Sequence, residues 1–212
     1  MYTPATTGMR QNNMKIIGVT GGVGAGKSTV LNFLKEMCNC VIVMADDVAK
    51  SLMKKGSVLT DTAYSLFGRD AYLENGNINA AHVGQIIFSD SAIRKQWEEA
   101  VHPAVKNKIL NLIKKAGEEG KEYFFLEAAL LIEDNYEEIC EEIWYVYADE
   151  DVRRIRLKET RDYSDEKTDS ILNAQLKDSE YRQHSDYIID TGISLAYTRA
   201  QLENKLAEYR TL

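Results

Sequence analysis

Gly21, Gly22, Gly24 and Gly26, followed directly by Lys27 and Ser28, fit the spacing G-x-x-x-x-G-K-[ST] of a phosphate-binding loop. In such a loop the backbone N–H groups of Gly22, Val23, Gly24, Ala25, Gly26, Lys27, Ser28 and Thr29 surround a polyphosphate, aided by the positive end of the helix that follows. Lys27 would reach the outer phosphates, and the Ser28 hydroxyl would hold Mg²⁺. The motif needs a strand before it and a helix after it. Ile16, Ile17 and Val19 form an apolar run of strand length, and residues 29–34 begin a helical pattern. A glycine-rich turn that merely joins strand to helix is the alternative; strand, motif and helix in register favour the phosphate site.

A second candidate is the basic cluster Arg153, Arg154, Arg156, Lys158 and Arg161 in an otherwise acidic chain. On a helix Arg154, Lys158 and Arg161 share one face, with Val152 and Ile155 free to pack inward. That is the arrangement of a lid bringing positive charge to a transferring phosphoryl group, with Arg154 and Arg161 as catalytic candidates. A solvated face balanced by Glu150, Asp151 and Glu159 is the competing reading. Asp46 and Asp47 follow the second apolar run, where an open parallel sheet binds its ligands. Either could accept a proton from an acceptor hydroxyl or orient it, and either could instead cap a helix. Glu127, ending the third run, could bind metal through water. Pro103 reads as the first position of a helix over about 104–116, which leaves His102 unexplained.

The elements that must position these residues follow from the apolar pattern. Strands are expected at 15–20, 41–44, 123–127, 143–147 and 187–189, alternating with helical patterns, so the fold class is α/β with a parallel five-stranded sheet in three layers. Val105, Ile109, Leu112, Ile113 and Ala116 form one core-facing helical stripe, and Leu195, Thr198, Leu202, Leu206 and Tyr209 another. The expected core is about 14–45, 103–148 and 184–212. An insertion of mostly helical pattern occupies about 46–102, and a strongly charged helical hairpin, exposed and mobile, occupies about 149–183. Residues 1–13 read as a disordered extension, with Met14 a plausible alternative start.

The chain has 212 residues, 44% hydrophobic and 28% charged, which suits a soluble globular protein with a full core. No run approaches membrane-spanning length and no signal peptide is evident, so a cytoplasmic location is expected. A net charge of −7 argues against a nucleic-acid polymer as partner. Cys38, Cys40 and Cys140 lack disulfide or zinc spacing and are expected to be buried thiols.

Together these pieces resemble the dephospho-CoA kinase family from about Lys15 onward. The resemblance is carried by residues 17–29, Ala45-Asp46, Val48-Ala49, Ile87-Phe88, His102-Pro103, residues 130–133, Arg161-Asp162, Gln175 and residues 186–192. It implies ATP-dependent phosphorylation of the ribose 3′-hydroxyl of dephospho-CoA, the last step of coenzyme A synthesis, with Mg²⁺. It further implies that Asp46 is the base or hydroxyl-orienting residue, that the insertion binds the acceptor, that His102, Leu130 and Glu133 belong to the acceptor site, and that Asp190 and Gly192 lie beside adenine. Met44 and Ala129 depart from the family pattern, and an Arg common before Ile-Phe is absent near Gly84. A kinase of another small metabolite or nucleotide, and a nucleotide-binding module without catalysis, are the alternatives. The oligomeric state is not legible.

Overall fold

Five apolar runs pair into one sheet in a computed structural model that describes residues 14–211. They are β1 (Lys15–Thr20), β2 (Cys40–Met44), β3 (Tyr123–Glu127), β4 (Glu142–Tyr147) and β5 (Tyr187–Asp190), in the spatial order β2-β3-β1-β4-β5. The pairings β1–β3, β1–β4 and β4–β5 are parallel. Each strand lies where its apolar run placed it, because strands buried on both faces are nearly continuous apolar segments. The helices are α1 (Lys27–Met37), α2 (Ala45–Leu52), α3 (Thr60–Phe67), α4 (Ala80–Ser89) and α5 (Ser91–Glu118), then α6 (Glu150–Arg161), α7 (Asp165–Asn173), α8 (Asp178–Gln183) and α9 (Leu195–Arg210). The expected extension at 1–13 lies outside the described residues.

The described chain forms two compact units, residues 14–42 with 116–211, and residues 43–115. In the first, side chains alternate across the sheet. Ile17, Val19, Phe125, Trp144, Val146 and Ile189 pack with Val30, Leu31 and Leu34 of α1 and Leu202 and Leu206 of α9. On the opposite face Gly18 lies against Ile143, Leu131 and Cys140, where any Cβ would meet side-chain atoms at 2.8 Å. Layering therefore follows from strand alternation and two amphipathic helices. No helix among the described residues is long and apolar enough to cross a membrane.

The second unit has its own core of Leu59, Ala63, Phe67, Ala71, Val83 and Trp97, with the Phe67 and Trp97 rings edge to face at 5.1 Å. It is wider than the stretch read as an insertion. The helix expected to start at Pro103 starts instead at Ser91, and Pro103 sits inside it. The Asp90 carboxylate accepts from Ala92 N–H (2.9 Å) and Ile93 N–H (3.0 Å), which supplies the N-terminal cap. Pro103 costs one intrahelical bond, and the continuous packing of α5 outweighs that loss.

Three smaller expectations need correction. Leu195 is 66% exposed, and the buried stripe of α9 begins at Thr198 because Leu195 only opens the first turn. The three cysteines are free but half-buried, with Cys38 and Cys40 at the α1–β2 turn, where both thiols approach the Leu34 carbonyl. Neither Asp46 nor Asp47 caps α2. Met44 occupies the N-cap without a side-chain bond, and both carboxylates lie in the first turn, where they favour the helix dipole.

Candidate active site

Between β1 and α1 the chain turns through the glycine loop. Gly26 takes φ 93°, a left-handed conformation at the N-cap of α1 that a side chain would strain, and no side chain caps the helix. The positive end of α1 is thereby directed into the loop. Lys27 Nζ donates to Gly21 O (2.6 Å) and lies 3.7 Å from Glu127 Oε1, at the carboxyl end of β3. Both side chains are largely buried. Burial pushes the Lys27 ammonium below its ordinary range; Glu127 opposes this, while the charges of Arg153 and Arg161 add to it. The site therefore gathers cations around one carboxylate, an arrangement that a polyanion would relieve.

Helix α6, read from the sequence as part of a lid, presents a different face from the expected one. Leu157 is buried and Ile155 is 57% exposed, which rotates Arg153 and Arg156 onto the loop. Arg153 Nε donates to Val23 O (2.9 Å), and Arg156 donates to Thr191 O (2.6 Å) and Thr191 Oγ1 (3.0 Å). Arg154 instead pairs with Glu150 (2.7 Å) and Asp169 (2.6 Å), tying α6 to α7. Arg161 ends α6 within the electrostatic field of Lys27. Leu157 as the inward residue was the signal for this phase, since Arg153 lies one turn before it.

The segment read as a mobile hairpin contains α6, α7 and α8. It has an anchored end. Tyr181 of α8 is buried and stacks on Tyr145 of β4 with centroids 4.8 Å apart, and the Tyr145 hydroxyl donates to Asp178 (3.0 Å).

Asp190 and Gly192 flank Thr191, which fastens β5 to the loop. Thr191 Oγ1 donates to Ala25 O (2.6 Å), and Asp190 Oδ1 accepts from Gly192 N–H (2.7 Å). Loop, lid and this turn thus meet at Gly22 to Gly26. Leu130 and Glu133 lie on the turn after β3, both exposed, with fully buried Leu131 holding the turn down. Glu133 faces Tyr181, whose phenol it helps hold above its usual range after burial, the larger cause. The other two candidates belong to the second unit: Asp46 is exposed in the first turn of α2, and His102 is exposed on α5.

A family model described as Dephospho-CoA kinase matches residues 15–196, which contain the loop, Asp46, His102, α6 and the Asp190 turn. The dephospho-CoA kinase of Listeria innocua is 33% identical over 188 residues, 89% of this chain and 94% of that protein. The one from Oceanobacillus iheyensis is 32% identical over 194 residues, 92% of this chain and 97% of that protein. A solved dephospho-CoA kinase from Campylobacter jejuni shares the fold with a TM-score of 0.69 at 23% identity, covering 93% of this chain and 97% of that one. With the phosphate loop, the arginine-bearing helix α6 and a match over most of its length, the chain belongs to the dephospho-CoA kinase family.

Proposed function

We infer that the chain transfers the γ-phosphoryl group of ATP to the ribose 3′-hydroxyl of dephospho-CoA, giving coenzyme A and ADP in the last step of CoA biosynthesis. The observation that carries this is the family match from 15 to 196, which includes a loop where Lys27, Arg153 and Arg161 converge electrostatically. In the transfer the bond from the γ-phosphorus to its bridging oxygen breaks, a bond to the 3′-oxygen forms, and the hydroxyl proton leaves. Catalysis is positioning and charge stabilisation. Lys27 and the α1 terminus hold the phosphates, and Arg153 and Arg161 supply lid charge; Arg154, engaged by two carboxylates, contributes through the α6–α7 contact. Asp46, exposed and without an ion pair among the described residues, orients the acceptor hydroxyl or takes its proton. His102, Leu130 and Glu133 serve the acceptor, and Asp190 and Gly192 lie on the adenine side.

The donors present suit Mg²⁺. Ser28 is exposed in the first turn of α1, and Glu127 offers a hard carboxylate at the end of β3. A site of few protein oxygens completed by phosphates is the usual form for this ion. Mg²⁺ supplies neutralisation of charge on the phosphate oxygens. The reactants are water-soluble, which supports a cytoplasmic setting.

Steady-state turnover with a panel of acceptors tests the reading. Dephospho-CoA is expected to be the preferred acceptor; a different preferred acceptor would replace the substrate assignment, and no turnover with any acceptor would leave a binding module. A second expectation concerns the lid. With a non-hydrolysable ATP analogue and Mg²⁺, amide hydrogen exchange should slow across α6 and α7 relative to α9, because their charge-assisted bonds strengthen when phosphates arrive. Helix α8, held by Tyr145, should change little. Unchanged exchange in α6 and α7 with nucleotide bound would reject lid closure.

A further inference from the structure

Gln175 lies in the connection between α7 and α8. Its side-chain carbonyl accepts from Val23 N–H (3.1 Å) and from Arg153 Nη2 (2.8 Å), while Arg153 Nε donates to Val23 O (2.9 Å). Loop, α6 and the α7–α8 connection are closed into a ring of hydrogen bonds. The guanidinium is pressed onto the loop, since a Cβ on Gly22 would stand 2.4 Å from Arg153 Nη2. Both acceptors that hold Arg153 are neutral carbonyls. The next residue is treated in the opposite way: Arg154 meets the carboxylates of Glu150 and Asp169, which cancel its charge locally. An amide fixes the direction of a guanidinium without cancelling its charge, whereas a carboxylate does both.

We propose that Gln175 is a positioning residue for phosphoryl transfer, fixing Arg153 against the phosphate loop through a neutral acceptor so that the guanidinium's positive charge remains available to the nucleotide's polyphosphate. The proposal rests on the kinase reading above. Glutamine is required because a carboxylate at 175 would pair with Arg153 and repel the phosphates.

Gln175→Glu separates this role from a structural one. The variant keeps the shape and both accepted bonds, so a side chain that merely fastened the lid would leave fold, melting temperature and turnover intact. The proposal expects the melting temperature to be unchanged or raised, while kcat/KM for MgATP falls roughly ten- to a hundredfold. Affinity for a non-hydrolysable ATP analogue, measured by calorimetry, should fall with it, and KM for dephospho-CoA should hold. In an Arg153→Met background the neutral substitution Gln175→Met should add little to the loss of ATP-analogue affinity, because the amide acts through Arg153. Wild-type ATP kinetics in Gln175→Glu, or an undiminished Gln175→Met penalty in the Arg153→Met background, would overturn the proposal. Should Gln175→Glu not fold, Gln175→Met decides: ATP-analogue affinity that falls in the otherwise wild-type protein and is unchanged by the same substitution in Arg153→Met supports the role, and wild-type affinity overturns it. Wild-type protein inert toward dephospho-CoA would instead refute the acceptor assignment, and the calorimetric comparison would still decide the role of Gln175.

Discussion

Lys27→Ala should abolish most phosphoryl transfer while leaving the protein folded. Lys27 does not build the core: its ammonium bonds to the Gly21 carbonyl of its own loop and lies 3.7 Å from Glu127. Its worth is that of a pre-placed charge. Burial and the neighbouring arginines disfavour the ammonium and Glu127 opposes them, so anionic phosphate oxygens would favour the charge further. Removing one such preorganised donor typically costs about 10²–10³ in kcat. The expected result is a loss of at least that size at saturating ATP and dephospho-CoA, with a far-ultraviolet circular dichroism spectrum like that of the wild type. Near wild-type turnover would remove the loop lysine from the catalytic apparatus.

The loop and the strands were legible because each is a local pattern. A phosphate loop is defined by residue types at fixed offsets, and a strand buried on both faces is an unbroken apolar run. The phase of helix α6 was harder to read. Helix α6 has few apolar residues, so choosing Val152 and Ile155 as its inward face instead of Leu157 rotated the arginines by about half a turn and favoured Arg154 over Arg153. The start of α5 was hidden by Pro103, whose preference for a first turn is a tendency that a long packed helix overrides. Cues lay nearby in the Asp90 cap and in the i,i+4 pairs Arg94–Glu98 and Lys95–Glu99. Gln175 was visible only through family resemblance. Its partner Val23 is 152 residues away in sequence, and no local pattern in one chain announces a contact of that range.

Asp46→Asn is expected to depress turnover far more than Asp47→Asn, although the two carboxylates are adjacent in the first turn of the same helix. Their surroundings differ. Asp47 pairs with Lys50 at 3.3 Å on an exposed surface, where such a pair contributes at most about 1 kcal/mol, and its amide variant should keep activity within a few fold, as an estimate from that weak coupling. Asp46 makes no ion pair among the described residues, so its carboxylate is free to meet an acceptor hydroxyl. The asparagine keeps the shape and one acceptor oxygen but cannot take a proton, and loss of a general base typically costs about 10²–10⁴ in rate. The deficit should appear in kcat, with KM for ATP nearly unchanged, because the residue acts on the acceptor. Both substitutions remove one negative charge from the start of α2, so their effects through the helix dipole should be similar and cancel in the comparison. Equal losses for the two variants, or a larger loss for Asp47→Asn, would reject Asp46 as the residue that handles the acceptor hydroxyl.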